Sequence, residues 1–409
     1  MKQIEDCGGR EKFPNSQKEQ VAKRTFSVLC FTGFYPPGFK GGGPIRTIYN
    51  LVQKVSGEIN FSVVTLDRDL GDKDSYPAES MDQVRRSTGA KVFYISPKSF
   101  WIFRVWKIIN EFEGDLIYLN SFFSVRFSII PFFIWLLNKP GRSVIVGPRG
   151  EFSTEALSFK SFKKKLYINF VKTLGFYRHV IWQASAAHDA EDIRRVFGEN
   201  ASIRIAVNIA CPPPVLDLSP RKKDAPLRVV FVSRISPMKN LRGAIQMLKR
   251  VKIPLVFDVY GPIEDKAYWA DCLDVVEELP INIVFNYSGM LYPVRLPEVL
   301  ATYDLFYLPT LGENFGHVIA EALGCGLPVL ISTSTPWRNL KEKKLGWDIP
   351  LDQPEHFATC IEECNSISGG DYDIWRKNIR SWALENIGSE EAVEQSRKLF
   401  SDLELSNEF

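Results

Sequence analysis

The sequence predicts an α/β protein built from two doubly wound parallel-sheet units that face a common cleft. Three observations carry this. Short, continuously apolar strand candidates alternate with helical patterns, as in sheets covered on both faces. The alternation stops once, at a proline-rich stretch, and then begins again. The 409 residues also exceed what one hydrophobic core usually supports.

Taken in order, residues 1–24 are polar and mixed in charge and read as a disordered lead-in, with no apolar segment of the signal-peptide kind. Residues 25–210 form the first unit. Its strand candidates are Phe26–Phe31, Phe61–Leu66, Val92–Ile95, Leu116–Leu119, Ser143–Gly147, Val180–Ala184 and Ile203–Val207. Helical patterns lie between most of them, among them Ile45–Val55, Leu157–Leu174 and Ala187–Phe197. The apolar run Phe122–Leu137 is interrupted by Arg126 and Pro131 and is shorter than the roughly 20 residues a bilayer requires, so it reads as a buried helix. Residues 211–226 hold five prolines and form the linker. The second unit, 227–371, has strand candidates Leu227–Val232, Leu255–Tyr260, Ile281–Phe285, Asp304–Leu308 and Pro328–Ser332. The tail, 372–409, is strand-poor, reads as two or three helices, and is expected to cross back to the first unit. Both units are Rossmann-like, and a shared ligand is expected at the carboxyl ends of their strands.

Composition is that of an ordinary globular protein, 45% hydrophobic and 24% charged. The net charge of +3 conceals an asymmetry: residues 1–210 carry 30 Lys+Arg against 20 Asp+Glu, and the remainder 21 against 28. A basic first half points to an anionic ligand or surface on that side. The seven cysteines (Cys7, Cys30, Cys211, Cys272, Cys325, Cys360, Cys364) are odd in number and scattered, and they read as reduced thiols of a cytoplasmic protein. Neither the cysteines nor the four histidines are spaced like a metal site, no Asp-x-Asp ends a strand, and no pattern points to nucleic acid.

The most informative segment runs from Leu308 to Ser332. A strand ends, a glycine-containing turn presents Glu313, and a helix is expected to start around Asn314 and Phe315. Backbone N–H groups near Gly316 and His317 then make an anion site. Glu321 lies about two helical turns after Asn314 on nearly the same face. Taken singly, Glu313 reads equally as a capping residue and Glu321 as a solvated helix position.

Together, Glu313 and Glu321 with seven residues between them, set in E-N-F-G-H-V-I-A-E-A-L-G-C-G-L-P-V, resemble the signature of retaining glycosyltransferases of the GT-B fold, glycosyltransferase family 4. The resemblance implies that Glu313 lies beside the donor sugar, that Glu321 hydrogen-bonds the ribose, and that Gly316 faces the diphosphate. Further stretches share it. Phe231–Ile245 resembles the segment carrying the Arg and Lys that grip the donor phosphates, here Arg234 and Lys239, a fork and a point charge suited to a leaving diphosphate. Gly261 resembles the family's strand-end glycine, and Gly289 with Met290 falls where the base is bordered. In the first unit Gly41, Gly42 and Gly43 precede a helix, so backbone can approach the donor there, with Gly42 and Gly43 as donor contacts. The sequence departs from the family at Val146–Ser153, where Pro148, Arg149 and Gly150 replace a histidine near the reacting sugar. Arg149 reads either as positive charge for the diphosphate or an anionic acceptor, or as a structural arginine.

The implied activity is transfer of a hexosyl or other glycosyl group from a nucleoside-diphosphate sugar to an acceptor hydroxyl, with retention and without metal or other cofactor. The implied acceptor is a sugar or lipid-linked saccharide of bacterial surface polysaccharide (lipopolysaccharide, O-antigen or exopolysaccharide). The basic, aromatic stretch 159–172, with Lys160, Lys163, Lys164 and Lys165, reads either as a patch for an anionic membrane surface, placing the protein at the inner face of the plasma membrane, or as a solvated helix face. The same architecture also hosts sugar-nucleotide epimerases and phosphorylases, and a non-catalytic nucleotide-sugar-binding subunit is a further alternative. Intact Glu313, Glu321, Arg234 and Lys239 favour the transferase.

Overall fold

The computed structural model describes residues 26–97, 101–138, 143–158, 161–211, 220–221 and 225–402. The expected lead-in, most of the expected linker, Cys7 and Lys160 lie outside the described residues.

The first domain has strands β1 (Phe26–Phe31), β2 (Ile59–Leu66), β3 (Lys91–Ile95), β4 (Leu116–Leu119), β5 (Ser143–Val146), β6 (Ile181–Ala184) and β7 (Ile203–Ile205). They form one parallel sheet in the order β3-β2-β1-β4-β5-β6-β7. Its helices are α1 (Gly43–Val55), α2 (Ala78–Thr88), α3 (Trp101–Glu111), α4 (Ile130–Asn138), α5 (Thr154–Ser158), α6 (Ser161–Thr173) and α7 (Ala187–Phe197).

The second domain has β8 (Leu227–Val232), β9 (Leu255–Tyr260), β10 (Ile283–Tyr287), β11 (Leu305–Leu308), β12 (Val329–Ser332) and β13 (Gly346–Ile349), parallel in the order β10-β9-β8-β11-β12-β13. Its helices are α8 (Leu241–Leu248), α9 (Lys266–Val276), α10 (Leu296–Leu300), α11 (His317–Gly324), α12 (Pro354–Ser366) and α13 (Gly369–Asn386). In each sheet the strand order reverses beside the first strand, at β1/β4 and at β8/β11. A crevice therefore opens at the carboxyl ends of those strands.

Both faces of each sheet are covered, which is why the strands read as unbroken apolar runs. In the first domain α3, α4, α6 and α7 contribute Val105, Phe132, Val171 and Ile193 to one core. On the other face α1 contributes Ile48 and Val52. That second core is completed from far along the chain, by α14 (Glu390–Ser401). Its Phe400 is fully buried, with its ring edge-on to Phe61 at 5.6 Å and Tyr118 at 5.4 Å. A phenylalanine buried this way contributes about 1.5–3 kcal/mol. Arg204 of β7 donates to the carbonyls of Leu399 and Asp402, and Arg397 pairs with Glu58 at 3.1 Å.

Three sequence expectations are corrected and one strand is added. The helix expected from Asn314 or Phe315 starts at His317, because Gly316 takes a left-handed backbone (φ 79°) and the Phe315 carbonyl accepts a hydrogen bond from Trp337 Nε1. The Phe122–Leu137 run is helical only from Val125, first as one π turn, Val125–Ile129, then as α4 with Pro131 in its first turn, where proline is tolerated. The strand expected at Ile281–Phe285 sits two residues later. The four-residue β13, half of it partly exposed, was not anticipated. The six described cysteines are free, five of them buried.

Candidate active site in the interdomain cleft

A cavity of about 1100 Å³ lies between the domains, lined by the carboxyl ends of both sheets. It brings together Gly42, Gly43, Arg149, Arg234, Lys239, Gly261, Met290, Glu313, Asn314, Phe315, Gly316, His317 and Glu321. Gly289 stands behind the wall, where its carbonyl accepts from Gly261 N at 2.8 Å.

The second-domain wall is made of two loops zipped together. Met238 O accepts from Leu311 N and from Thr310 Oγ1, both at 2.9 Å, and Asn240 Nδ2 donates to Pro309 O at 2.8 Å. This sets Lys239 Nζ 2.5 Å from Glu313 Oε1, with both side chains 13% exposed. Arg234 Nη1 meets Glu264 Oε2 at 2.7 Å. Gly261 is required where it stands: its φ is 143°, and a Cβ there would lie 1.7 Å from Ser233 O. The left-handed turn at Gly316 leaves the first N–H groups of α11 without helical partners, since the first bond runs from Ile319 N to Gly316 O. Gly316, His317 and Val318 all line the cavity, so this end of α11 offers it partial positive charge.

Several polar contacts cross the cleft, among them a weak one from Asn314 Nδ2 to Asp189 Oδ2 at 3.3 Å. Arg46 Nη2 of α1 lies 3.0 Å from Glu321 Oε1. The Thr47 hydroxyl and His317 Nε2 are 2.9 Å apart. Asn314 Nδ2 donates to Ser185 Oγ at 2.8 Å, and Asn208 Nδ2 approaches Asn314 Oδ1 at 3.4 Å. Burial holds His317 at a pKa of about 3, with Arg46 and Arg149 adding to the effect, so the ring is neutral at physiological pH. Burial pushes the Glu321 carboxyl upward, and Arg46 opposes it.

The first-domain wall is organised by its strand ends. Asp69 caps the glycine-rich loop by accepting from Phe39 N and Lys40 N at 2.7 and 3.0 Å. Beyond β5 the turn at Arg149 and Gly150 is left-handed at both residues (φ 55° and 74°). For a non-glycine residue this costs about 1–3 kcal/mol. The guanidinium donates from Nε to Asn120 Oδ1 at 2.7 Å, from Nη1 to Asn208 Oδ1 at 2.5 Å, and from Nη2 to Gln183 Oε1 at 3.1 Å and to the Tyr118 hydroxyl. Glu151 turns away from it and accepts from Ser121 Oγ, Phe122 N and Phe123 N.

Arg46, Thr47, Asn120, Asn208, Tyr118 and Gln183 were not anticipated from sequence. Arg46 and Thr47 carry a retrospective signal, since they lie about one turn into the helix that begins at the last of the three glycines. The other four carry none, because they sit at or beyond the ends of three separate strands, β4, β6 and β7. Among the described residues no group of three or more His, Cys, Asp or Glu is arranged to hold a metal ion.

Residues 218–382 match the family described as glycosyl transferases group 1. O-antigen chain mannosyltransferase B of Escherichia coli is 28% identical over 159 residues, 35% of this chain and 41% of that protein. D-inositol 3-phosphate glycosyltransferase of Rhodococcus erythropolis is 34% identical over 109 residues, 25% of either chain. The matched segment thus spans less than half the length of these curated relatives. Among solved structures, Anabaena HepE in complex with UDP and glucose superposes with a TM-score of 0.68 at 14% identity, over 92% of this chain and all of that one. WaaG, a glycosyltransferase involved in lipopolysaccharide biosynthesis, superposes with a TM-score of 0.60 at 15% identity, over 92% and 99%. The fold is GT-B, and the family match together with that fold supports a glycosyltransferase of group 1.

Proposed function

We propose that this protein transfers a glycosyl group from a nucleoside-diphosphate sugar to an acceptor hydroxyl, with retention at the anomeric carbon and without a metal ion. The observation that carries the reading is the second-domain wall: Lys239, Arg234 and the amino end of α11 surround the turn that presents Glu313. A nucleoside diphosphate needs that combination of a fork, a point charge and free N–H groups. The Glu321 carboxyl, one turn into α11, receives the ribose hydroxyls. In the reaction the bond from the anomeric carbon to the diphosphate oxygen breaks, and the bond to the acceptor oxygen forms on the same face. The acceptor's proton passes to the leaving phosphate oxygen. Stabilising that leaving group is the main catalytic contribution, and positioning by the cross-cleft contacts is the second. Glu313 stands beside the sugar, where positive charge develops.

The relatives in O-antigen and lipopolysaccharide assembly favour a lipid-linked saccharide acceptor of bacterial surface polysaccharide. The outer face of the first domain fits such an acceptor at the inner face of a plasma membrane. Phe103 is 67% exposed and Phe162 78%, with Trp106, Leu166 and Phe170 also exposed and Lys163 and Lys165 among them. Lys164 does not belong to that solvated set, since its Nζ donates to Ala156 O at 2.5 Å. No described helix is long and apolar enough to cross a membrane.

The experiment is a thermal-shift screen of nucleoside diphosphates, followed by incubation with the corresponding sugar nucleotides in excess EDTA. A bound diphosphate at 100 times its Kd should stabilise the protein by about 2.7 kcal/mol, and free diphosphate should be released with chelator present. Binding of no nucleoside diphosphate would sink the reading. Release abolished by EDTA and restored by Mg²⁺ would sink its metal-free form.

A further inference from the structure

We propose that Arg149 and the neutral cradle beneath it form a second anion site of the cleft, one that takes a phosphate or carboxylate group of a substrate. The proposal rests on the reading of the cavity as a donor–acceptor cleft and adds an anionic subsite on its first-domain wall. Its basis is how the cavity's cations are compensated. Lys40 pairs with Asp72, Arg46 with Glu321, Arg234 with Glu264 and Lys239 with Glu313. Arg338 is exposed to solvent. Arg149 alone is held inside the wall by side chains that carry no charge: Asn120, Asn208, Gln183 and Tyr118.

Neutral acceptors orient a guanidinium without cancelling its charge, whereas a carboxylate would do both. Four of the five N–H hydrogens are committed to the cradle, which leaves one Nη1 hydrogen for a ligand in the cavity that Arg149 lines. The cradle is built across the sheet. Tyr118 and Asn120 come from the end of β4, Arg149 from beyond β5, Gln183 from β6 and Asn208 from beyond β7, four neighbouring strands. A left-handed backbone at a non-glycine residue persists only where its surroundings impose it. The turn also presses against the opposite wall, since a Cβ on Gly150 would stand 3.2 Å from Asn314 Cβ, next to Glu313. A fixed, uncompensated positive charge is thereby held near the turn where the donor diphosphate is proposed to bind. The anion it awaits is either that diphosphate or an acidic group on the acceptor.

The test compares wild type with Arg149→Gln, Arg149→Lys and Asn120→Asp by calorimetry, using two probes: UDP or GDP, and inorganic phosphate added to protein saturated with the nucleotide. Asn120→Asp places a carboxylate under the guanidinium from outside the cavity, so the arginine stays and its charge is cancelled. If the anion is the diphosphate, Arg149→Gln and Asn120→Asp weaken nucleotide binding about 10- to 100-fold, and Arg149→Lys weakens it less. If it is the acceptor's, nucleotide binding is unchanged, and phosphate binding to the loaded protein falls by that factor instead. Unchanged binding of both probes in Arg149→Gln and Asn120→Asp overturns the proposal. So does a loss confined to Arg149→Gln with a lowered Tm while Asn120→Asp binds normally, which marks Arg149 as structural. Failure of the wild type to bind any nucleotide would defeat the transferase reading; inorganic phosphate titrated into the unloaded wild type, Arg149→Gln and Asn120→Asp would then decide the fate of Arg149, with equal phosphate binding by all three overturning the proposal.

Discussion

On the second-domain wall of the cleft Lys239 and Arg234 each carry their own carboxylate, Glu313 and Glu264, while on the first-domain wall Arg149 rests on two asparagines, a glutamine and a tyrosine. The two arrangements ask different things of a ligand. A diphosphate arriving at the second wall must share or displace existing partners, so its affinity is a difference between two sets of charge-assisted contacts. The first wall already bears its charge in place, and a ligand there displaces only solvent. Paired walls exchange partners; neutral-cradled walls are preorganised.

The largest effects should come from breaking the pairs on the second wall, and the two glutamates should respond differently. Glu313→Ala removes the carboxylate beside the sugar and should lower kcat by about 10²–10³, the scale of losing one preorganised electrostatic contact. Because it frees Lys239, nucleoside diphosphate affinity should hold or tighten. Glu321→Ala removes a contact made before and during the reaction alike. It should raise donor KM about 10- to 100-fold with kcat largely kept. Steady-state kinetics with a matched donor would check both. Full turnover in Glu313→Ala, or an unchanged donor KM in Glu321→Ala, would break the assignment of roles.

A smaller effect should appear in stability against pH. His317, neutral in the fold with a pKa of about 3, gains its proton more readily in the unfolded chain, at about 6.5. Its contribution is therefore complete above pH 6.5 and is lost as pH falls from about 6.5 toward 3, by at most about 1.4 kcal/mol per pH unit. Glu321, raised by burial, shifts stability the opposite way, so the informative quantity is the difference between wild type and His317→Gln. Denaturant unfolding at pH 7 and pH 5 should show a flatter dependence in the variant. Parallel dependences would mean that the ring is not the titrating group.

The smallest expected effect extends the contrast to the outer faces. Replacing Phe162 and Phe170 of α6 by Ser should reduce sedimentation with anionic liposomes several-fold, and salt should weaken the wild type as the Debye length falls from about 10 Å at 0.1 M to 3 Å at 1 M. Equal sedimentation of variant and wild type would make the face an ordinary solvated one.

The second wall was legible in the sequence as a constellation, whereas of the first only the glycine-rich turn and Arg149 were, for a physical reason. Glu313, Gly316, His317 and Glu321 lie within nine consecutive residues spanning a strand end, a turn and a helix, so local spacing alone puts them together. Lys239 joins them from the segment after the second domain's first strand. The cradle of Arg149 spans residues 118 to 208, and those side chains meet only because β4, β5, β6 and β7 are neighbours in the sheet. Strand order is a property of the folded sheet, and no local pattern encodes it. The shifted helix start has its own cause: Gly316 permits helix and left-handed turn alike, and the hydrogen bond to the Phe315 carbonyl from Trp337, 22 residues beyond Phe315, favours the turn. β13 escaped notice because four residues beginning with glycine give too little alternation to read.

The position of α14 bears on how the chain is made as well as on how it packs. The first domain emerges first from the ribosome, yet the seat of Phe400 against Phe61 and Tyr118 is filled by a helix roughly 190 residues beyond β7. At about 5–20 residues per second, translation takes roughly 10–40 s to supply it. Throughout that interval the nascent first domain carries an open apolar seat, while the second domain is synthesised and closes its own core. The domain that leads in synthesis is therefore the last to be finished, and a chaperone engaged during translation would find its target on the surface later covered by α14.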